Sequence, residues 1–132
     1  MKIRIDKRDK VFSELIRLRA RWNCEACGRY FPKGHGLQCS HFFGRRHQST
    51  RYDLDNAAAH CYTCHMSFGE NPTIFTAWIK KYLGDYRYEA LELRHRKIVK
   101  RTKPEAEELY QHLREQYKAL QSDPMHEVVG YD

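Results

Sequence analysis

Four cysteines in two Cys-x2-Cys pairs, Cys24/Cys27 and Cys61/Cys64, constrain this chain more than any other feature of it. Two thiolate hairpins that share one ion make a rigid four-coordinate staple, so the chain between them must double back until the hairpins meet. With five cysteines the total is odd, which argues against a closed set of disulfides. The paired spacing fits zinc better, in a reducing compartment such as the cytoplasm. The expected structural ion is therefore Zn2+ on Cys24, Cys27, Cys61 and Cys64. Cys39 is left over and reads as a small buried hydrophobe on a strand.

A chain of 132 residues makes one domain, here with a helical appendage. A zinc-bound core with an N-terminal basic helix is expected over residues 1–71, and a helical C-terminal extension, available for packing and dimerisation, over 72–132. No apolar run approaches transmembrane length, and the Lys-rich start has no apolar segment behind it, so neither a membrane nor secretion is expected. The net charge of +7 is uneven: residues 1–50 hold twelve Lys/Arg against four Asp/Glu, residues 51–132 twelve against thirteen. A polyanion is the natural partner of the basic side.

Residues 1–8 read as basic and extended. From Asp9, taken as an N-cap, Val11, Phe12, Leu15, Ile16, Leu18 and Trp22 recur at helical spacing, with Arg17 and Arg21 on the other face and Arg19 near the boundary. Cys24 to Gly28 is a metal knuckle, followed by a Gly-rich turn over 33–36 and a short strand from Leu37 to Phe43. Residues 44–56 form an irregular loop with Arg45, Arg46 and Arg51. Ala57 to Cys61 is a second strand, and the chain turns helical near Cys64, His65 and Met66. Asn71 and Pro72 open a helix with Ile74, Phe75, Trp78, Ile79 and Tyr82 inward, closed by Gly84. Asp85 caps another to about Lys100, with Leu91, Leu93, Ile98 and Val99 apolar. Thr102 and Glu105 read as the capping box of a last helix to about Gln121, and the tail from Ser122 has no periodicity.

Between the cysteine pairs lie residues suited to one chemistry. Cleaving a phosphodiester requires a nucleophilic water, stabilisation of added negative charge, and help for the leaving oxygen; a divalent ion supplies the last two and an imidazole takes the proton. His41, at a strand end beside a basic loop, suits the general base. His65, held directly after a zinc cysteine, can face it as a metal ligand. Asn56 can bond backbone groups of the Arg-rich loop and hold His41 in place. Arg45, Arg46 and Arg51 suit phosphate oxygens, and Lys80, Lys81, Arg94, Arg96 and Lys97 extend the basic surface. His35, His47, His95, His112 and His126 read as surface or capping residues. His60 is open: a strand residue facing solvent, a phosphate contact, or an alternative zinc ligand.

The string His41 … Asn56-x4-Cys61-x2-Cys64-His65 after Cys24-x2-Cys27 resembles the HNH branch of the His-Me finger endonucleases, whose zinc-stapled members share this ending. The likeness covers about residues 24–71, roughly a third of the chain. Within that group, Ser40-His41-Phe42-x-Gly44-Arg45, Thr50-Arg51-x-Asp53-x-Asp55-Asn56 and Glu70-Asn71-Pro72 look most like the NinG (Rap) phage recombination proteins, which are associated with cutting branched DNA intermediates. The resemblance implies an α+β fold built on a ββα-metal core, and a phage or prophage origin. It also implies Mg2+ or Mn2+ catalysis with His41 as base, Asn56 as orienting residue and His65 as catalytic-ion ligand. One departure stands out: many such enzymes place Asp or His before the base, and this chain has Ser40, which can contribute only through water. The ion is then expected to bind weakly until substrate oxygens complete its shell.

The sequence therefore leads to a metal-dependent DNA endonuclease acting on branched DNA such as a Holliday junction or D-loop, and to a homodimer able to make paired cuts. The rival readings are an HNH nickase or homing-type nuclease on linear duplex, a non-catalytic zinc-dependent DNA-binding module, and a protein-binding zinc module. The last fits the basic N-terminal half least.

Overall fold

Asp6, not Asp9, starts the first helix. In the computed structural model, which describes residues 3–131, α1 (Lys7–Arg19) begins with Asp6 accepting from the backbone N–H of Arg8 and Asp9, while the Asp9 carboxylate accepts from the N–H of Asp6. Both acids take part in one reciprocal cap, so the extended segment is shorter than 1–8; Met1 and Lys2 lie outside the described residues. The buried stripe of α1 is Phe12, Leu15 and Ile16.

After the first knuckle come β1 (Leu37–His41) and β2 (Ala57–Cys61), an antiparallel pair with Ser40 opposite Ala58 and His41 opposite Ala57. Successive strand residues point to opposite faces, so Cys39, Ala57, Ala59 and Cys61 turn toward α1 and pack with Phe12 and Leu15. Ser40, Ala58 and His60 turn the other way, toward α2 (Tyr62–Glu70) and α3 (Pro72–Leu83). Cys39 is buried on its strand, as its isolation from the pairs implied.

Asn71 and Pro72 do open α3 and Gly84 closes it, but the Asn71 side chain donates back to the Ser67 carbonyl and does not cap. The helix α4 (Asp85–His95) stops five residues short of Lys100. Its end is fixed from outside: the Ser49 hydroxyl donates to the His95 carbonyl, and the His95 ring stacks on Phe43 at 3.6 Å. Ile74, expected inward, is exposed, as are the apolar Leu93 and Ile98, whereas Ile79, Leu83 and Leu91 form a second small core with Phe42 and Phe43 against it.

The capping box predicted at Thr102 and Glu105 starts α5 (Lys103–Ser122). Its buried Leu109, Leu113 and Leu120 belong to the same cluster as Phe12, Leu15 and the two strands, so the main core crosses the division drawn at residues 71 and 72. The tail folds back along α5: His112 Nε2 donates to the Val129 carbonyl and the Val129 N–H donates to Gln116. The architecture among the described residues is α+β, with five α-helices around one two-stranded antiparallel sheet. No helix of the described residues is long and apolar enough to cross a membrane.

Candidate functional site

The two cysteine hairpins meet. The sulfurs of Cys24, Cys27, Cys61 and Cys64 all lie within 4.8 Å of one another, with Cys27 and Cys61 at 3.9 Å. Tetrahedral Zn–S bonds of about 2.3 Å require sulfurs about 3.8 Å apart, so the set fits a structural metal such as zinc. The first knuckle is closed by Cys24 N–H to the Arg29 carbonyl and Gly28 N–H to the Cys24 carbonyl, both 2.8 Å. Gly28, at φ +81, supplies the left-handed turn this needs. Glu25 ties the knuckle to β2, its N–H donating to the Ala59 carbonyl and its carboxylate accepting from the Ala59 N–H and the Tyr82 hydroxyl. Burial alone raises the Cys24 thiol, but backbone N–H groups of Cys27, Cys61 and Ala26 outweigh it and bring Cys24 to about 7. Burial and the neighbouring thiols push Cys64 up. Four thiols this close cannot all ionise without a cation between them.

Asn56 is fully buried and holds the loop that follows β1 at three points. Its carbonyl accepts from the Phe43 N–H, and its amide donates to the carbonyls of Phe43 and Thr50. The loop so held carries Arg45, Arg46 and Arg51 past the end of the sheet.

His41 lies against Phe12, ring centroids 5.6 Å apart, with Nε2 3.1 Å from the Arg51 carbonyl. A carbonyl only accepts, so Nε2 carries the proton and Nδ1 keeps the lone pair. Burial first, and then the positive charge of Arg45, pull the His41 pKa down to about 4; the ring is neutral at pH 7. His65 does not face His41 across the fold. It approaches β1 from the other side, its Nδ1 2.7 Å from Ser40 Oγ, one residue before His41. Burial and again Arg45 lower its pKa.

Arg45 links the two imidazoles electrostatically. No carboxylate pairs with it among the described residues, and its Nε is buried with no hydrogen-bond partner. Arg46 is exposed, its Nε donating to His47 Nε2 at 3.3 Å.

Arg51 corrects the sequence reading. It is buried, not a surface cation: Nε and Nη2 donate to the two oxygens of Asp9 at 2.9 and 2.7 Å, and Nη2 also donates to the Arg4 carbonyl. Asp9 is itself buried, and a carboxylate there requires a partner more than the surface requires another cation. Arg94 is likewise taken up by Asp53 and Asp55, and Arg19 by the carbonyls of Leu54 and Ala57.

His60 was the site residue the sequence left undecided, and it neither faces solvent nor joins the sulfurs. It is fully buried, with Nδ1 2.8 Å from Ser40 Oγ. Strand alternation places His60 and Ser40 on one face, but their meeting also needs the register and the small Ala58 opposite Ser40. His95 is not a bland surface residue either, since it anchors the loop through Phe43 and Ser49.

No family model, curated protein or solved structure matches this chain.

Proposed function

We propose that the chain is a metal-dependent DNA endonuclease of the ββα-metal type, with β1, β2 and α2 as the catalytic core. The observation that carries the reading is Arg45: a half-buried guanidinium with no acid partner among the described residues, acting on both His41 and His65 at the sheet end. A cation held there unpaired is suited to a phosphate. His41, neutral and with Nδ1 free to accept, is the general base that takes a proton from water. Asn56 keeps the loop, and with it the Arg51 carbonyl that orients His41, in place. Arg46 lies exposed on the same loop and adds a phosphate contact.

A divalent ion, Mg2+ or Mn2+, held by His65 and by water and phosphate oxygens, supplies Lewis-acid stabilisation of the developing charge when bound. Zn2+ on the four cysteines keeps the hairpins together and takes no part in the reaction. Preference for branched DNA, a NinG-like role in recombination in a phage or prophage setting, and a homodimer rest on the sequence resemblance.

The test is cleavage of a labelled four-way junction and a matched duplex, in Mg2+ and in EDTA, by wild type and His41→Ala. Metal-dependent cutting of the junction that the variant loses, with the duplex spared, is the expected result. Equal cutting of duplex keeps the nuclease and discards the branch preference. A second reading, a zinc-dependent DNA-binding module, is favoured by one fact. Among the described residues, only the four cysteines form a ready-made cluster of three or more His, Cys or acidic metal ligands. Tight DNA binding by folded, zinc-loaded protein with no cutting in any divalent metal selects that reading.

A further inference from the structure

Ser40 sits between two imidazoles. Its Oγ is 2.8 Å from His60 Nδ1 and 2.7 Å from His65 Nδ1, and Ser40 is 2% and His60 0% exposed. A serine has one proton to give, so at most one of these contacts is an O–H donation and the other is an N–H donation from a ring. Accepting from both rings leaves the hydroxyl proton itself unpaired in a dry site, which is costly.

The two remaining arrangements leave opposite tautomers. In the first, His65 Nδ1–H donates to Ser40, whose O–H donates to His60 Nδ1; His65 Nε2 is then a bare lone pair and His60 Nε2 carries the proton. In the second the chain runs backwards, and His65 Nε2 carries a proton that blocks ligation. The deciding atom is His60 Nε2, which is buried without a hydrogen-bond partner among the described residues. Its ring lies among Phe68, Phe75 and Trp78, with centroids 5.0, 6.0 and 4.6 Å away and the Trp78 plane turned 76° from it. The first arrangement is the favoured one where Nε2 meets a face of these rings, because an aromatic face is negative, attracts an N–H and repels a nitrogen lone pair.

We infer that His60 and Ser40 are a positioning pair that holds His65 as the Nδ1–H tautomer and leaves Nε2 as its ligating atom. The inference rests on the nuclease reading only for the ion His65 presents itself to. It also gives a reason for serine in place of the Asp that is one of the two residues many resembling enzymes place there. A carboxylate accepts only, so it would draw N–H bonds from both rings and leave His60 Nε2 as a buried lone pair beside the aromatic rings.

Long-range 1H–15N correlation on full-length, zinc-loaded, 15N-histidine-labelled protein, without catalytic metal or DNA, reads the tautomers directly. His65 is expected as Nδ1–H in wild type, shifted to Nε2–H or a mixture in Ser40→Ala and His60→Phe, and restored in Ser40→Thr. Mn2+ titrated into the same samples should bind about tenfold or more weakly in the Ala and Phe variants, as read from broadening of the His65 signals. Nε2–H in wild type, or an unchanged tautomer in Ser40→Ala, overturns the relay. Should His60→Phe fail to fold, the Ser40 pair of variants decides alone. DNA cleavage is scored separately: a correct tautomer with no cleavage supports the relay and sinks the nuclease reading, and cleavage with the wrong tautomer does the reverse.

Discussion

Arg45 and Arg51 leave the same loop and meet opposite fates, although nothing in their local sequence separates them. Arg51 reaches the carboxylate of Asp9, far away in the chain, and the pair is nearly dry, with side chains 7% and 2% exposed. Removing one member leaves an uncompensated buried charge, so Arg51→Met is expected to cost about 3–5 kcal/mol in urea unfolding. Replacing both partners with apolar residues should recover part of that, less the capping bond Asp9 gives Asp6. A loss below about 1 kcal/mol accompanied by weaker DNA binding would return Arg51 to the surface role. Arg45 acts instead through its charge on His41. Arg45→Gln should raise the His41 pKa above its value of about 4, yet leave it below the ordinary imidazole value because burial is the larger cause. The sign for stability follows: a depressed histidine favours the fold above its unfolded pKa, near 6.5, and loses that contribution as pH falls toward 4. The variant narrows that window. An NMR titration of His41 that does not move upward removes Arg45 as the linking charge.

Elements were legible where their ends are written locally. Thr102 and Glu105 state a capping box, and Ala57 to Cys61 runs as a strand directly into a knuckle; both appear where expected. The start of α1 was misplaced because Asp6 and Asp9 can each cap, and only the helix itself shows that they cap reciprocally. The end of α4 was misplaced because Ser49 and Phe43, distant in sequence, set it. The loop over 44–56 was legible as a loop but not as a rigid one. Its order depends on Asn56, whose amide meets three backbone groups away from water. Asn56→Ala abandons them and should cost about 3 kcal/mol. Asn56→Asp should also destabilise, since a carboxylate can accept from Phe43 N–H but faces two carbonyls it cannot donate to. A chemical-denaturation difference near zero for both variants would mean that the loop is held by other contacts.

At the scale of the molecule, one core joins α1, both strands and α5, and two of the paired cysteines lie inside it. The C-terminal helix thus uses its apolar stripe within its own chain, and a dimer built there would have to pair a largely polar face. The same burial couples the metal staple to the fold: Cys24 and Cys61 belong to one cluster with Phe12 and Leu37, and the hairpins they anchor hold the sheet's second strand at its middle, through Glu25 on Ala59, and at its end, through Cys61. Cys39 reports on that coupling because it lies outside the sulfur cluster, in the same core, with burial pushing its thiol up to about 12. In zinc-loaded protein it should resist an aromatic disulfide reagent, since neither the thiolate nor access is available. If the staple holds the core together, a strong chelator should release one zinc per chain and expose all five thiols, Cys39 with the other four. Release of zinc with only four thiols reacting would show that the core closes without the metal, and that the staple organises the knuckles alone. Because the core includes β1, the first result would also tie the placement of His41 to zinc, so chelation should abolish any His41-dependent activity even with ample Mg2+ present.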